Sequence, residues 1–67
     1  MNISEHFKIL INYYQSKQYE KVIEVCEIIL KENENLYEIY NFYGLALQNL
    51  KKNKQAINYF NKSISLQ

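Results

Sequence analysis

Apolar residues recur at three- and four-residue steps along almost the whole chain, and this spacing is interrupted in only three places. Such spacing puts the apolar side chains on one face of an α-helix. The sequence has no proline to break a helix, and it has a single glycine, Gly44. The pattern therefore predicts an all-α chain of four helices of about 13 to 15 residues, joined by short turns.

The three interruptions divide the chain into four segments of helical pattern. The predicted helices cover residues 1–16, residues 19–32, a third segment that ends at about residue 50 and a fourth that ends near residue 66. The first, second and fourth segments are apolar on one face, as expected of helices that border solvent. The third segment is apolar on most sides, so we expect other helices to cover it from several directions.

Asparagine stands at the predicted start of three of these helices. Asn2 is followed three residues later by Glu5, and Asn35 is followed in the same way by Glu38. This spacing is a variant of the capping box, in which two side chains satisfy the free N–H groups of a first turn. Asn53 is the predicted cap of the fourth helix.

The chain contains a 34-residue internal repeat in the pattern of apolar positions, although few residues are identical between the two copies. Sliding the chain by 34 residues places apolar residues on apolar residues, although few positions are identical (Lys17 with Lys51, Ile23 with Ile57). Repeats of this length are typical of architectures in which stacked helix pairs bury their apolar faces against each other.

The second half of the chain carries a motif of aromatic and small residues at fixed spacing. The motif consists of Tyr40, Tyr43-Gly44, Leu47, then Ala56 twelve residues after the glycine and Phe60 four residues later. Gly44 and Ala56 have little or no side chain, so we expect the two helices to approach closely there. With this motif the chain resembles the tetratricopeptide repeat family, whose unit is a 34-residue antiparallel helix pair.

The first half departs further from that motif. It has His6 in place of Tyr40, Leu10 in place of the glycine, Val22 in place of the alanine and Cys26 in place of the phenylalanine. The resemblance implies a single domain, 1–67, of two stacked antiparallel helix hairpins, an α-solenoid fragment with repeats at about 3–36 and 37–67. The alternative fold is an up-down four-helix bundle with one central core, which short loops and four similar helices permit.

The residues do not indicate a catalytic, cofactor or metal site. The one cysteine, Cys26, and the one histidine, His6, fall at packing positions of the repeat, where a buried thiol is inert. Glu20, Glu24 and Glu27 form a carboxylate stripe that lysines interleave, which is typical of a solvated helix face. We therefore expect a non-enzymatic protein without a cofactor or metal.

Charge and hydropathy argue against nucleic-acid and membrane partners. The net charge is +1, arginine is absent, and the lysine cluster at 51–54 is short. No apolar run approaches the roughly 18 residues of a membrane span, and no signal-peptide pattern precedes the first helix. We expect a cytoplasmic protein.

The resemblance also implies a surface for protein partners. In tetratricopeptide arrays the first helix of each pair lines a concave groove that holds a peptide or a partner helix. By that resemblance we expect an apolar groove for an apolar or amphipathic segment, and Ser4, Lys8, Gln15 and Glu38 are among the residues that face it. The residues expected to bind the partner are Phe7, Ile11, Tyr14, Asn41, Phe42, Leu45, Gln48 and Asn49.

Two repeats are few for a stack of this kind, because its terminal surfaces stay apolar unless they are capped. Phe60 and Ile64 on the last helix are expected to form such an uncovered face, and exposed apolar patches mark interfaces. Either the chain is part of a longer array, or it covers this face by dimerising or by exchanging helices. The alternative function is therefore a small self-assembling structural protein whose apolar faces form a homo-oligomer interface. The residues support binding of another protein's segment and self-association almost equally.

Overall fold

The computed structural model describes residues 3–67, which form four α-helices. The predicted all-α fold is therefore confirmed, and the helix bounds lie close to those predicted. Asn2, the predicted cap of the first helix, lies outside the described residues. The helices are α1 (Ile3–Gln15), α2 (Tyr19–Glu32), α3 (Tyr37–Asn49) and α4 (Asn53–Leu66).

Each helix packs against its neighbour in the chain: α1 against α2, α2 against α3, and α3 against α4. Within the described residues α1 and α4 have no extended contact, whereas a closed bundle would bring its first and last helices together. The Cα atoms span 31 × 27 × 16 Å, so the molecule is a flat slab. The arrangement is the predicted stack of two helix hairpins, and the closed bundle is not formed.

The 34-residue period recurs in the helix bounds themselves. The first and last residues of α3 and α4 each lie 34 positions after those of α1 and α2. The turn inside each hairpin repeats as well, because Lys17 has φ 62° and Lys51 has φ 67°. Both lysines are in the left-handed conformation, which costs a side chain other than glycine roughly 1 kcal/mol or more.

The same backbone hydrogen bonds close α1 and α3 around these lysines. In each case the N–H three residues beyond the last residue of the helix reaches back to a carbonyl five residues earlier, as in a Schellman motif. Two separate turns with matching bonds and matching φ angles show that the repeat extends to the backbone. The bonds join Gln18 N–H to the Tyr13 carbonyl and Lys52 N–H to the Leu47 carbonyl, each at 2.9 Å.

The start of α3 and the start of α4 differ from prediction. Leu36 precedes α3 and Lys52 precedes α4, and within residues 3–67 neither makes a side-chain capping bond. Asn35 is not a cap, because its own N–H donates to Oδ1 of Asn33 at 3.0 Å and forms an Asx turn instead. Asn53 already lies inside the first turn of α4. Both predicted caps are therefore wrong by one position.

The core runs through all four helices and joins the two hairpins into one unit. It is almost entirely apolar, and several residues on its border are half-buried aromatics. Two polar residues, His6 and Ser63, are buried with it, and the Ser63 hydroxyl donates to the Tyr37 carbonyl at 2.9 Å. The buried core residues are Leu10, Val22, Cys26, Ile29, Ile39, Tyr43, Ala46, Leu47 and Ala56.

Gly44 of α3 lies directly against the Phe60 ring of α4. A Cβ at this position would lie 2.7 Å from the Phe60 ring, closer than real Cβ atoms come to a neighbour. The predicted reason for the glycine is therefore confirmed. At the corresponding positions of the first hairpin, Leu10 and Cys26 are both completely buried.

No helix among residues 3–67 has the length and apolar character that crossing a membrane requires.

Candidate protein-interaction face

Half-buried aromatic rings from α1 and α3 meet on one side of the slab. Phe7 and Phe42 are in edge contact with ring centres 6.4 Å apart, and Tyr14 contacts Phe42 in the same way at 6.2 Å. Phe7 and Tyr14 lie seven residues apart on α1, so they project from the same side of that helix. We call this surface, with the half-buried Leu45 and the exposed Ile11, Asn41, Gln48 and Asn49, the α1/α3 face.

Polar contacts hold one end of the α1/α3 face in place. The Asn49 side-chain amide donates to the Leu45 carbonyl at 2.8 Å and to the Tyr14 hydroxyl at 3.4 Å. The Tyr14 ring is in edge contact with Tyr19 at 5.6 Å, next to the turn between α1 and α2. The ring of Tyr14 is therefore fixed from both hairpins.

The predicted partner-binding residues divide into two groups by burial. Phe7, Tyr14, Phe42 and Leu45 are half-buried, because the aromatic rings cover one another. Ile11 is 43% exposed beside them. An aliphatic side chain exposed next to a row of ring edges provides apolar area to a partner with little rearrangement. The remaining predicted residues, Asn41, Gln48 and Asn49, are exposed.

A second surface feature, which the sequence did not reveal, is a cleft between α2 and α4 with α3 as its floor. Its volume is about 510 Å³. Tyr43 and Tyr59 stack there in parallel with ring centres 3.9 Å apart, and the Tyr43 hydroxyl donates to Oε2 of Glu27 at 3.1 Å. The lining residues are Glu27, Leu30, Lys31, Tyr40, Tyr43 and Tyr59.

The contacts within this cleft determine the pKa of Tyr43 and the arrangement of charged groups around it. Burial, followed by the neighbouring Tyr59 and Glu27, raises the pKa of Tyr43, which therefore stays neutral through the physiological range. Lys62 lies 5.9 Å from the centre of the Tyr40 ring, and Lys31 faces Glu27 from the next turn of α2. Positive and negative groups are mixed, so the cleft does not select a charge.

Cys26 and His6, the residues of the sequence whose side chains are best suited to catalysis, are both buried in the core. Burial raises the pKa of the Cys26 thiol to about 12, with a smaller contribution from Glu27, and its Sγ lies 3.7 Å from the Ile39 carbonyl. His6 is 7% exposed, and its Nδ1 has no hydrogen-bond partner within the described residues. The packing positions predicted for both residues are confirmed.

The acidic stripe of α2 is a solvated surface, as predicted. Glu20, Glu24 and Glu27 are exposed, and Glu24 forms an i,i+3 ion pair with Lys21 at 3.9 Å. An exposed pair of this kind contributes about 0.5 kcal/mol or less. Among residues 3–67 there is no group of three or more His, Cys, Asp or Glu side chains that could hold a metal ion.

In comparisons with known proteins, no protein-family model, no curated protein and no solved structure matches this chain.

Proposed function

We propose that the chain is a tetratricopeptide-type repeat module that catalyses no reaction and binds an apolar or amphipathic segment of another protein on its α1/α3 face. The observation that carries the proposal is the row of ring edges from Phe7, Phe42 and Tyr14 with Ile11 exposed beside it. The family assignment is supported by the 34-residue period of the helix bounds and by the contact between Gly44 and Phe60.

The chemistry of the proposed partner follows from the chemistry of the α1/α3 face. Its centre is aromatic and aliphatic, while the exposed amides Asn41, Gln48 and Asn49 lie on α3 at its edge. Amides donate and accept hydrogen bonds without requiring a charged partner. The fitting ligand is therefore an amphipathic helix that inserts a few apolar side chains and leaves its polar face in water. The proposed place of action is the cytoplasm, where a free thiol such as Cys26 stays reduced.

The test uses amphipathic helical peptides selected for binding to the wild-type chain from a random display library. Ile11→Lys puts a charge at the centre of the α1/α3 face, and its side chain is exposed enough that the fold should tolerate it. Ile28→Lys is the matched control, because Ile28 is 51% exposed on α2, away from that face. We expect fluorescence anisotropy to show at least about a tenfold loss of affinity for Ile11→Lys and less than about a twofold change for Ile28→Lys.

Three outcomes would contradict the proposal. They are equal affinity in both variants, a larger loss in the control, or failure to select any peptide. Charged variants of half-buried residues such as Phe7 or Leu45 are less suitable, because they also disturb packing.

A second candidate function is a self-assembling structural protein. The observation that favours it lies on α4, where the predicted Ile64 is 66% exposed and Ile57 is 56% exposed. The other residue predicted for this uncovered face, Phe60, is half-buried against Gly44, so that part of the prediction is wrong.

A further inference from the structure

Charge is divided unevenly between the two halves of the chain. All seven acidic residues lie in residues 1–38, whereas residues 39–67 contain four lysines and no acidic residue. Four lysines and seven glutamates give residues 1–38 a formal charge of −3, and residues 39–67 have a charge of +4. The net charge of +1 therefore conceals a basic second half, which attracts acidic partners.

Most of this positive charge lies where α3 turns into α4. Lys51, Lys52 and Lys54 are exposed, and together they line a shallow hollow of about 240 Å³. The first turn of α4 contains no acidic residue. We call these three lysines the basic turn.

The turn between α1 and α2 lies beside the basic turn and does not cancel its charge. A hollow of about 390 Å³ is lined by Lys17, Lys21, Glu20, Glu24 and Leu50, the residue that precedes the basic turn. Its two lysines and two glutamates balance, and Lys21 forms an ion pair with Glu24 at 3.9 Å. The helix dipoles balance as well, because α1 and α3 end here while α2 and α4 begin here. This end of the molecule is therefore positive because of the basic turn.

The basic turn adjoins the α1/α3 face directly. Gln48 and Asn49 of that face lie in the last turn of α3, and the Lys51 N–H donates to the Gln48 carbonyl at 3.0 Å. Asn49 also reaches the Tyr14 hydroxyl at 3.4 Å, so both hairpins form this end of the face. At the other end of the face, Glu38 is exposed in the first turn of α3. A segment lying along α1 and α3 thus has lysines at one end and a carboxylate at the other.

Lys51 also has a backbone conformation that favours glycine. Its φ is 67°, and Lys17 at the corresponding position of the first hairpin has φ 62°. Glycine would avoid the cost of the left-handed conformation at both positions. Strained backbone of this kind is concentrated at functional sites. A binding role for the cation explains why a lysine stands at the end of each face-forming helix despite this cost.

We propose that the partner segment bound on the α1/α3 face has acidic side chains at one end of its apolar stripe, and that these side chains bind the basic turn. The inference rests on the proposed function and adds the charge and the orientation of the partner. In the reverse orientation the acidic side chains would meet Glu38 instead of the lysines. A protein segment fits better than nucleic acid, because arginine is absent and the charge is confined to one end of an apolar face.

The test starts from a peptide that was selected on the wild-type chain and has no charge at either end. Three glutamates are added to one end or the other, and three glutamines are added in the control peptides. We expect glutamates at one end only to strengthen binding about fivefold at about 0.01 M salt, with the gain lost at about 1 M salt. Fluorescence anisotropy measures each affinity.

Two double variants then locate the charge that is responsible. Lys51→Gln with Lys52→Gln should abolish the gain from glutamate and change the affinity for the glutamine peptide by less than about twofold. Lys31→Gln with Lys62→Gln is the matched control, because it lowers the net charge equally at exposed positions away from the basic turn. The control should keep the gain. A carbodiimide, which joins a carboxylate to an amine in contact with it, should couple the glutamates of the peptide to the basic turn.

The inference and the proposed function fail in different ways. If Ile11→Lys weakens binding of the glutamine peptide but glutamate gives no gain, the inference is overturned and the proposed function stands. A gain that persists without Lys51 and Lys52, or that the control variant loses equally, also overturns the inference. If Ile11→Lys has no effect on the glutamine peptide, the proposed function fails and the inference fails with it.

Other anionic partners are a further outcome of the same variants. The wild-type chain is mixed with a single-stranded RNA and with vesicles that contain anionic phospholipid. If either binds more tightly than the glutamate peptide, and Lys51→Gln with Lys52→Gln abolishes that binding, the basic turn serves that partner and the inference is overturned. Circular dichroism checks that each variant keeps its helical content, which is expected because all four lysines are exposed.

Discussion

In the α3–α4 hairpin the ring of Phe60 lies directly over Gly44, whereas the α1–α2 hairpin has Cys26 and Leu10 at the same two positions. One hairpin pairs the smallest residue with a large one, and the other pairs a large aliphatic residue with a small one on the opposite helix. Leu10 and Cys26 are completely buried, so the exchange leaves no exposed gap. The repeat therefore conserves the combined volume of the pair rather than the identity of either side chain.

The two hairpins also differ in how they are covered. The outer side of α2 receives α3, while the equivalent side of α4 remains exposed. Two hairpins with the same backbone geometry therefore differ in this surface: it is an internal interface in the first hairpin and an open surface in the second. Position in the stack, and not only the local sequence, decides whether an apolar residue becomes core or interface.

The largest effect is expected when the first hairpin loses its large member. Leu10→Gly removes a completely buried side chain and adds a flexible residue within α1, so we expect a loss of about 4 kcal/mol in the free energy of unfolding. A 67-residue domain has a total stability of about 3 to 10 kcal/mol, so urea unfolding should be followed in a stabilising osmolyte. Adding Cys26→Phe rebuilds the Gly–Phe pair of the second hairpin and should restore at least about 2 kcal/mol. If the two substitutions changed the free energy of unfolding additively, with no rescue, the hairpins would not be equivalent.

The reciprocal exchange in the second hairpin should have a somewhat smaller effect. Gly44→Leu forces the Phe60 ring from its place, and we expect a loss of about 2 to 3 kcal/mol even though leucine favours a helix more than glycine does. Phe60→Cys in the same chain should recover most of that loss, as measured by thermal and urea unfolding. An unchanged or raised stability for Gly44→Leu alone would contradict the close approach of α3 and α4.

Alkaline pH should distinguish the hairpins because only the first has a buried thiol. The pKa of Cys26 is raised from 9.0 to about 12, so the folded chain holds its proton where the unfolded chain releases it. Stability is therefore fully present below pH 9 and declines as the pH rises towards 12. At pH 10 the wild type should lose about 1.4 kcal/mol more than Cys26→Ala, in which the raised pKa of Tyr43 still gives a smaller loss. Equal pH profiles for the two proteins, or rapid alkylation of Cys26 at neutral pH, would contradict its burial.

The smallest predicted effect concerns the two turns, where the hairpins are alike. Lys17→Gly and Lys51→Gly each replace a left-handed lysine by the residue that tolerates this conformation, so each should stabilise the protein by about 0.5 to 1 kcal/mol. The two gains should be similar and additive, because the turns are far from each other's contacts. Clearly unequal gains in urea unfolding would indicate that the turns are not equivalent.

Much of the fold could be predicted because its signals are local in the sequence. Apolar spacing sets the helices, and the 34-residue offset between Lys17 and Lys51 marks the turns. The predicted cap at Asn35 is wrong because Asn35 donates its backbone N–H to the side chain of Asn33, a competition between neighbours that the capping pattern does not record. The tyrosine cleft was missed because Tyr59 is distant in sequence from Tyr40 and Tyr43. The role of Ile57 also depends on what covers α4, which helical spacing cannot specify.

The most direct test of the hairpin stack is the pattern of side-chain nuclear Overhauser effects in solution. The hairpin stack predicts cross-peaks between the Phe7 and Phe42 rings and between Gly44 Hα and the Phe60 ring, with the Gly44 signal shifted upfield. It also predicts that α1 and α4 show no side-chain cross-peaks with each other. Cross-peaks between α1 and α4, together with their absence between Phe7 and Phe42, would establish a closed bundle and remove both proposed interaction surfaces.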